Sequence, residues 1–162
     1  MDLGLTVLIV ATLAMGLAAG VFLLYAHTIM PGLRRTDDRT FVAAFQAIDR
    51  AIINPWFMVT SFGGALVFTG VAALLYIGED PFWWIVVAFA LYLFTVIATV
   101  TVNVPRNDAI KAAGDPDHID VSQVRAAFDE ARWARWNLIR TIANSAAFGL
   151  LAWALVVAGG AR

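Results

Sequence analysis

Uncharged and charged segments alternate along the chain. Four stretches contain no Asp, Glu, Lys or Arg: residues 3–26, 51–78, 81–105 and 141–161. Each is long enough to cross a hydrocarbon core of about 30 Å, which takes about 20 residues of α-helix. The pattern therefore predicts four membrane-spanning helices, at about residues 3–26, 55–77, 82–104 and 141–160.

The first long connection, residues 27–54, contains a further helical pattern. Its apolar side chains recur at helical spacing: Phe41, Phe45, Ile48 and Ile52. Such spacing is typical of a short amphipathic helix, here one that leaves Gln46, Asp49 and Arg50 on its other side.

The second long connection, residues 105–140, begins at a proline. Pro105 cannot donate a hydrogen bond to the carbonyl of Thr101, so we expect the third span to kink or end there. From about residue 121 nothing in the pattern interrupts a helix before Gly159. About 38 residues would give a last helix of about 57 Å, which extends well beyond the bilayer.

These elements predict an all-α fold: an integral membrane four-helix bundle with a short amphipathic helix after span 1. The whole chain, residues 1–162, forms a single membrane domain, because a chain of this length leaves no room for a second one. Its connections are residues 27–54 and 105–140, with a short turn at residues 78–81.

Composition agrees with a membrane protein. Hydrophobic residues make up 61% of the chain and charged residues 14%, where soluble proteins have about 25% charged residues. The chain has no cysteine, which excludes disulfides and thiolate metal sites. Its two histidines, His27 and His118, are too few for the usual catalytic metal centres, so we predict no metal site.

The distribution of basic residues predicts the orientation. Four Lys or Arg lie between residues 27 and 50 and six between 106 and 140, while the turn at 76–81 has none. The positive-inside rule then places both long connections in the cytoplasm and both termini outside the cell membrane. The arginines are interleaved with acidic residues, which gives no support to nucleic-acid binding.

Polar and aromatic residues gather where the spans reach the cytoplasm, and an antiparallel bundle brings these ends together. The candidate site residues are His27, Gln46, Asn54, Asn103, Asn107, Trp133, Trp136, Asn137, Arg140 and Asn144.

On the last helix, Trp133, Asn137, Arg140 and Asn144 are spaced by 4, 3 and 4 residues and so share one face. A guanidinium near the hydrocarbon is costly unless it reaches the interface or finds partners. We predict that Arg140 and Asn103 face the bundle interior, where amide oxygens or an anionic ligand could pair with Arg140. Two simpler roles remain open: Arg140 as a snorkelling basic residue, and the tryptophans as interfacial anchors.

Several motifs resemble those of one family. The segments GVFLLYAHTIMPGL (20–33), INPWF (53–57), NVPRND (103–108) and RWARWNLIRTIAN (132–144) are similar to the small four-helix membrane proteins grouped with anthrone oxygenase. The resemblance implies an oxygenase that oxidises a hydrophobic anthrone- or phenol-like aromatic with O₂ as co-substrate and without a cofactor.

For such chemistry, His27 would be the base, because the pKa of an imidazole is near neutrality. Arg140, Asn103 and Asn107 would stabilise the oxyanion, with Asn137 as a further donor. Trp133 or Trp136 would stack on the ring, and Asn54, Asn144 and Gln46 complete the expected substrate contacts.

A non-catalytic role is the alternative: the same residues could bind a lipid, a quinone or a partner protein. Gly16 and Gly20 form a G-x-x-x-G pattern, which favours close packing within the bundle and leaves a homo-oligomer open. A transporter is disfavoured, because no inverted repeat is evident and no span has an internal charge.

Overall fold

The structure is a computed structural model that describes residues 2–160, of which 86% are helical and none form strands. The α-helices are α1 Leu3–Leu24, α2 Met30–Leu33, α3 Asp38–Ile52, α4 Gly64–Leu75, α5 Phe82–Ala98, α6 Val104–Ala112, α7 Val121–Phe128 and α8 Glu130–Gly160. Three π-helical segments connect some of them: π1 Tyr25–Ile29, π2 Phe57–Gly63 and π3 Thr99–Asn103.

Four helical runs are long and apolar enough to cross a membrane: Leu3–Leu33, Phe57–Leu75, Phe82–Ala112 and Val121–Gly160. We call these spans 1 to 4. The predicted all-α, four-helix fold is therefore confirmed, and the chain is a multi-pass membrane protein. The bundle closes in a ring, in which α1 packs on α4, α4 on α5, α5 on α8 and α8 on α1.

Small residues at the centre allow the four helices to approach closely. Fully buried alanines such as Ala11, Ala65, Ala88 and Ala147 alternate with larger side chains in one core cluster. In a membrane, close van der Waals packing of this kind is a main source of helix association. Gly16 contributes to it, because an added Cβ there would lie 2.8 Å from the ring of Phe148 on α8.

The two ends of the bundle differ. One end, which we call the hairpin end, carries the short turn around Gly78. The other, the loop-rich end, carries α3, α6 and α7, which pack on one another around a second cluster of buried rings. In this cluster the rings of Phe45 and Phe128 lie 4.6 Å apart, and Trp133 stands perpendicular to Phe45 at 5.7 Å.

The predicted amphipathic helix is α3, and its N-cap is Asp37, whose carboxylate accepts a hydrogen bond from the Thr40 amide at 2.9 Å. The prediction that Gln46, Asp49 and Arg50 lie on the other, polar side of this helix is wrong for two of them, because Gln46 and Asp49 are buried. Asp49 lies one turn beyond Phe45 and shares its inward face, so only Arg50 of the three polar residues is exposed.

The last helix is not continuous. Asp129 adopts a left-handed conformation with φ of 54° and separates α7 from α8. The expected unbroken helix from residue 121 is therefore wrong, and α8 alone, with 31 residues, is about 46 Å long. The break lets α7 fold against α3, where Arg125 pairs with Asp38 at 3.0 Å.

Span 3 does not end at Pro105. The π3 segment precedes the proline, and the Val104 amide donates to the carbonyl of Thr99, five residues back. This wider turn changes the hydrogen-bond register just ahead of Pro105, and the Arg106 guanidinium donates to the Val102 carbonyl at 2.8 Å. The helix therefore continues to Ala112, and the Arg106 side chain supplies a hydrogen bond to one of the carbonyls near the proline.

In span 2, two glycines permit the π-helical turn. A Cβ at Gly63 would lie 2.7 Å from the Met58 carbonyl oxygen, and a Cβ at Gly64 would lie 2.7 Å from that of Val59. Neither contact can be relieved by moving a side chain, because both oxygens belong to the backbone.

We expect Gly63→Ala and Gly64→Ala each to destabilise the protein by about 1–3 kcal/mol through this clash. The matched control is Gly149→Ala, whose added Cβ meets nothing within 4 Å and which should gain up to about 1 kcal/mol from helix propensity. Thermal unfolding in one detergent, followed by circular dichroism, measures all three. Equal melting temperatures would show that π2 does not depend on these glycines.

Candidate functional site

Arg140 is a buried cation. It lies on α8 with 3% of its surface exposed, so the prediction that it faces the bundle interior is confirmed, as is that for Asn103 at 1%. Its guanidinium donates to Thr99 Oγ1 at 2.9 Å and to Asn137 Oδ1 at 3.0 Å. Thus Arg140 is fixed by groups that carry no charge.

The rest of its surroundings are aromatic. The guanidinium carbon lies 4.9 Å from the centre of the Phe22 ring and 5.6 Å from that of Trp133. Within residues 2–160 no carboxylate forms an ion pair with Arg140, and its Nε has no hydrogen-bond partner. The positive charge is therefore uncompensated, although cation–π contacts offset part of its desolvation cost.

A cavity of about 230 Å³ opens beside this guanidinium. Spans 1 to 4 and α3 all contribute to its walls, which are mostly apolar with a few polar groups. The π segments lie at this level in their spans, and Tyr25, Phe57 and Thr99, one from each segment, line the cavity. Single π turns are frequent at functional sites, where they shift side chains relative to a regular helix.

A second polar group faces the cavity from α3. Asp49 is 6% exposed and forms an ion pair with Lys111 Nζ at 2.8 Å. Its carboxylate also accepts a hydrogen bond from Asn107 Nδ2 at 2.7 Å, and Asn107 Oδ1 accepts from Trp133 Nε1 at 2.7 Å. This chain fixes the carboxylate, the amide and the indole in one arrangement.

Tyr25 lies between the two charges. Its ring packs 5.7 Å from the Trp133 ring, and the residue interacts electrostatically with both Asp49 and Arg140. Tyr25 lines the cavity, and its hydroxyl makes no hydrogen bond within the part of the chain that is described. The cavity wall thus combines a carboxylate residue, a tyrosine and a cation around one small volume.

The structure brings four of the predicted site residues to the cavity wall: Asn107, Trp133, Asn137 and Arg140. Asn103 lies immediately behind it, where its Nδ2 donates to the Trp133 carbonyl at 3.3 Å. The amide oxygen that pairs with Arg140 belongs to Asn137, one turn before it on the same helix, and not to Asn103 or Asn107.

Other predicted residues hold the backbone. The Asn54 carboxamide caps span 2 by accepting from the Phe57 amide at 2.9 Å. Gln46 is buried and donates to the carbonyls of Ile110 and Gly114, which joins α3 to the end of span 3. Trp136 and Asn144 do not line the cavity, and Asn144 is fully buried with both amide atoms unpaired among the described residues.

His27 is separate from this site. It is exposed, it does not line the cavity, and its Nδ1 lies 2.5 Å from the hydroxyl of Thr28. Tyr25, two residues earlier in π1, faces inward in its place. The convergence of His27 with Arg140 across the bundle, which the sequence suggested, is therefore not found.

Five polar or charged residues of the cavity were missed from the sequence: Tyr25, Asp49, Thr99, Asp108 and Lys111. Asp49 carried a signal, because it interrupts the inward spacing of Phe41, Phe45 and Ile52. Tyr25 and Lys111 carried none, since their orientation depends on π1 and on the continuation of span 3 past Pro105. Within residues 2–160 no three His, Asp or Glu residues are grouped so as to hold a metal ion.

Comparison with known proteins gives one match. No curated protein and no solved structure is significantly similar to the chain. The sequence profile of a family described as anthrone oxygenase matches residues 54–150, which is more than half of the chain and includes α4 to α7 and most of α8. The matched segment contributes Asn107, Trp133, Asn137 and Arg140 to the cavity. The protein is thus a member of the anthrone oxygenase family.

Proposed function

We propose that this membrane oxygenase-like protein binds the anionic form of a compact hydrophobic aromatic, such as an anthrone or a phenol, at Arg140. The observation that carries the proposal is the uncompensated guanidinium beside an aromatic cavity. A buried charge without a counter-charge is costly, and an anionic ligand would remove that cost. A neutral ligand would not.

Preference for the anion is itself a catalytic effect. An anthrone enolate carries its negative charge on oxygen, and a guanidinium fixed before the reaction stabilises that charge without reorganisation. The hydroxyl of Tyr25 and the N–H groups of Arg140 that make no hydrogen bond to the protein are candidate donors for the oxyanion. Trp133 and Phe22 provide flat apolar surfaces beside it.

The proton acceptor that the geometry supports is Asp49, because it is the buried carboxylate of the cavity wall. Lys111 and Asn107 hold its carboxylate in one orientation. We propose that Asp49 takes a proton from the substrate methylene carbon, which then bonds to O₂ to form a peroxide that Tyr25 protonates.

Loss of the second proton from the same carbon, with cleavage of the O–O bond, leaves a carbonyl group, and the departing hydroxide takes that proton to become water. The first proton returns from Asp49 to Tyr25, which restores both side chains. The carbon loses four electrons and O₂ accepts four. We therefore propose O₂ as co-substrate and no resident cofactor, since none is needed to balance the reaction.

Arg140→Met tests the anion site. We expect it to weaken binding of a dinitrophenolate, a compact permanent phenolate, by about ten-fold or more, because a hydrogen bond to a charged group contributes about 1.5–3 kcal/mol. Absorbance titration in detergent measures the affinity. The melting temperature should stay the same or rise, since methionine removes an unpaired buried charge. Unchanged phenolate affinity in a folded Arg140→Met variant would contradict the proposal.

Asp49→Asn tests the base. We expect oxygen consumption with an anthrone to fall by about 10²-fold or more, the usual contribution of a general base. Asp108→Asn is the matched control, because Asp108 is the other carboxylate on Lys111, at 3.0 Å, and is largely exposed. If His27→Ala abolishes turnover while Asp49→Asn does not, the base is His27. Phenolate binding without oxygen consumption for any aromatic would favour the non-catalytic role.

We also propose that the loop-rich end faces the cytoplasm, as the basic residues of both connections indicate. The chain contains no cysteine, so in a single-cysteine variant any labelling reports the position of the introduced residue. In intact cells a membrane-impermeant maleimide should label Glu79→Cys, in the hairpin turn, and not Asp115→Cys, in the second long connection. The opposite labelling would reverse the orientation.

A further inference from the structure

The mouth of the cavity differs chemically from its interior. The polar groups of the interior are all buried: Arg140, Asn137, Trp133 and Tyr25. The exposed apolar residues of its wall are Ile53, Met58 and Val100. A cavity that took its ligand from water would be expected to carry polar groups at its rim, whereas here most of the exposed rim is apolar.

These rim residues lie between spans 2 and 3. The two spans pack together through α4 and α5, and the Tyr92 hydroxyl donates to the Phe62 carbonyl at 2.8 Å. From that hydrogen bond toward the loop-rich end, the cavity separates π2 from π3, with Met58 on one side and Val100 on the other. The gap between the spans is therefore a lateral opening.

The opening belongs to the lipid-facing surface. Val59 next to Met58 and Ile97 next to Val100 on the helix surface are 69% and 53% exposed, and both are apolar. Trp56, 75% exposed, precedes them in the position of an interfacial aromatic residue. At the water side the rim is completed by Asp108, which pairs with Lys111 at 3.0 Å. Because Lys111 also pairs with Asp49, this side has two carboxylates for one ammonium group and offers an anion no net attraction.

We infer that the cavity takes its ligand laterally from the bilayer, between spans 2 and 3, and that the ligand is an amphiphile whose oxyanion head reaches Arg140 while an apolar substituent remains in lipid. This rests on the proposed anion site at Arg140 and narrows the class of substrate. The volume of the cavity supports this inference. At about 230 Å³, it is smaller than the pockets of about 300–1,000 Å³ that enclose drug-sized ligands. A compact ring fits, and a longer chain must leave through the opening.

Photolabelling tests the route independently of turnover. The probe is a dinitrophenolate that carries an alkyl tail with a terminal diazirine, added to the protein in phospholipid vesicles. We expect the tail to label the rim of the opening or its lipid-facing neighbours, at Ile53, Met58, Val59, Ile97 or Val100, as mapped by mass spectrometry. Labels concentrated around Asp108 and Lys111 would show entry from water and overturn the inference.

A matched pair of variants tests the opening itself. Val100→Trp places a large side chain on the rim, whereas Val67→Trp makes the same change on the lipid-facing surface of span 2, outside the cavity wall and away from the expected label sites. We expect Val100→Trp to lower the labelling yield by about ten-fold and Val67→Trp to leave it unchanged. Equal yields for both variants would contradict a lateral route.

The same probe separates this inference from the oxygenase proposal. Labelling at the rim that is lost in Arg140→Met, without oxygen consumption for any anthrone, would support the lateral site and contradict the oxygenase reaction. Suppose instead that Val100→Trp and the wild-type protein consume oxygen equally, both with a tail-bearing and with a tailless anthrone. That result would support the reaction and contradict the lateral route.

Discussion

The guanidinium of Arg140, held inside a membrane bundle with no counter-ion among residues 2–160, is the constraint on which the site depends. Its surroundings compensate it only with dipoles and rings: Thr99, Asn137, Phe22 and Trp133. Asn137 and Trp133 lie on α8 with Arg140, whereas Thr99 and Phe22 come from spans 3 and 1, which must be placed within contact distance of it. The bundle therefore holds the charge of Arg140 where burial is costly, and an anion in the adjoining cavity would reduce that cost.

The π-helical segments explain how a closely packed bundle contains a cavity at this level. Toward the hairpin end, alanines and other small residues let the helices meet with little space between them. Near the loop-rich end, spans 1, 2 and 3 each change to π geometry, which widens the helix and shifts the register of the side chains that follow. Gly63 and Gly64 show the local cost, because only glycine leaves space for the widened turn in span 2.

The amphipathic helix α3 closes the loop-rich end and also takes part in the site. Its aromatic residues pack with Phe128 and Trp133, while Gln46 binds the carbonyls of Ile110 and Gly114. These contacts fix Asp49 against Lys111 and Asn107. The position of the carboxylate relative to Arg140 is thus set by the packing of an element that lies outside the four spans.

The sequence alone determined the four spans, the amphipathic helix and the inward face of α8, because hydrophobic length and helical spacing are local properties. It also indicated Arg140, Asn137, Asn107 and Trp133 as site residues, since polar groups at the end of a span must be satisfied. Only the tertiary structure decided that Tyr25 and Asp49 face the cavity and His27 does not. The orientations of Tyr25 and His27 depend on a π turn in span 1, which leaves no periodic signal in the chain. The apolar spacing of α3 indicates that Asp49 lies on its inward face, but only the docking of α3 places that face against the cavity.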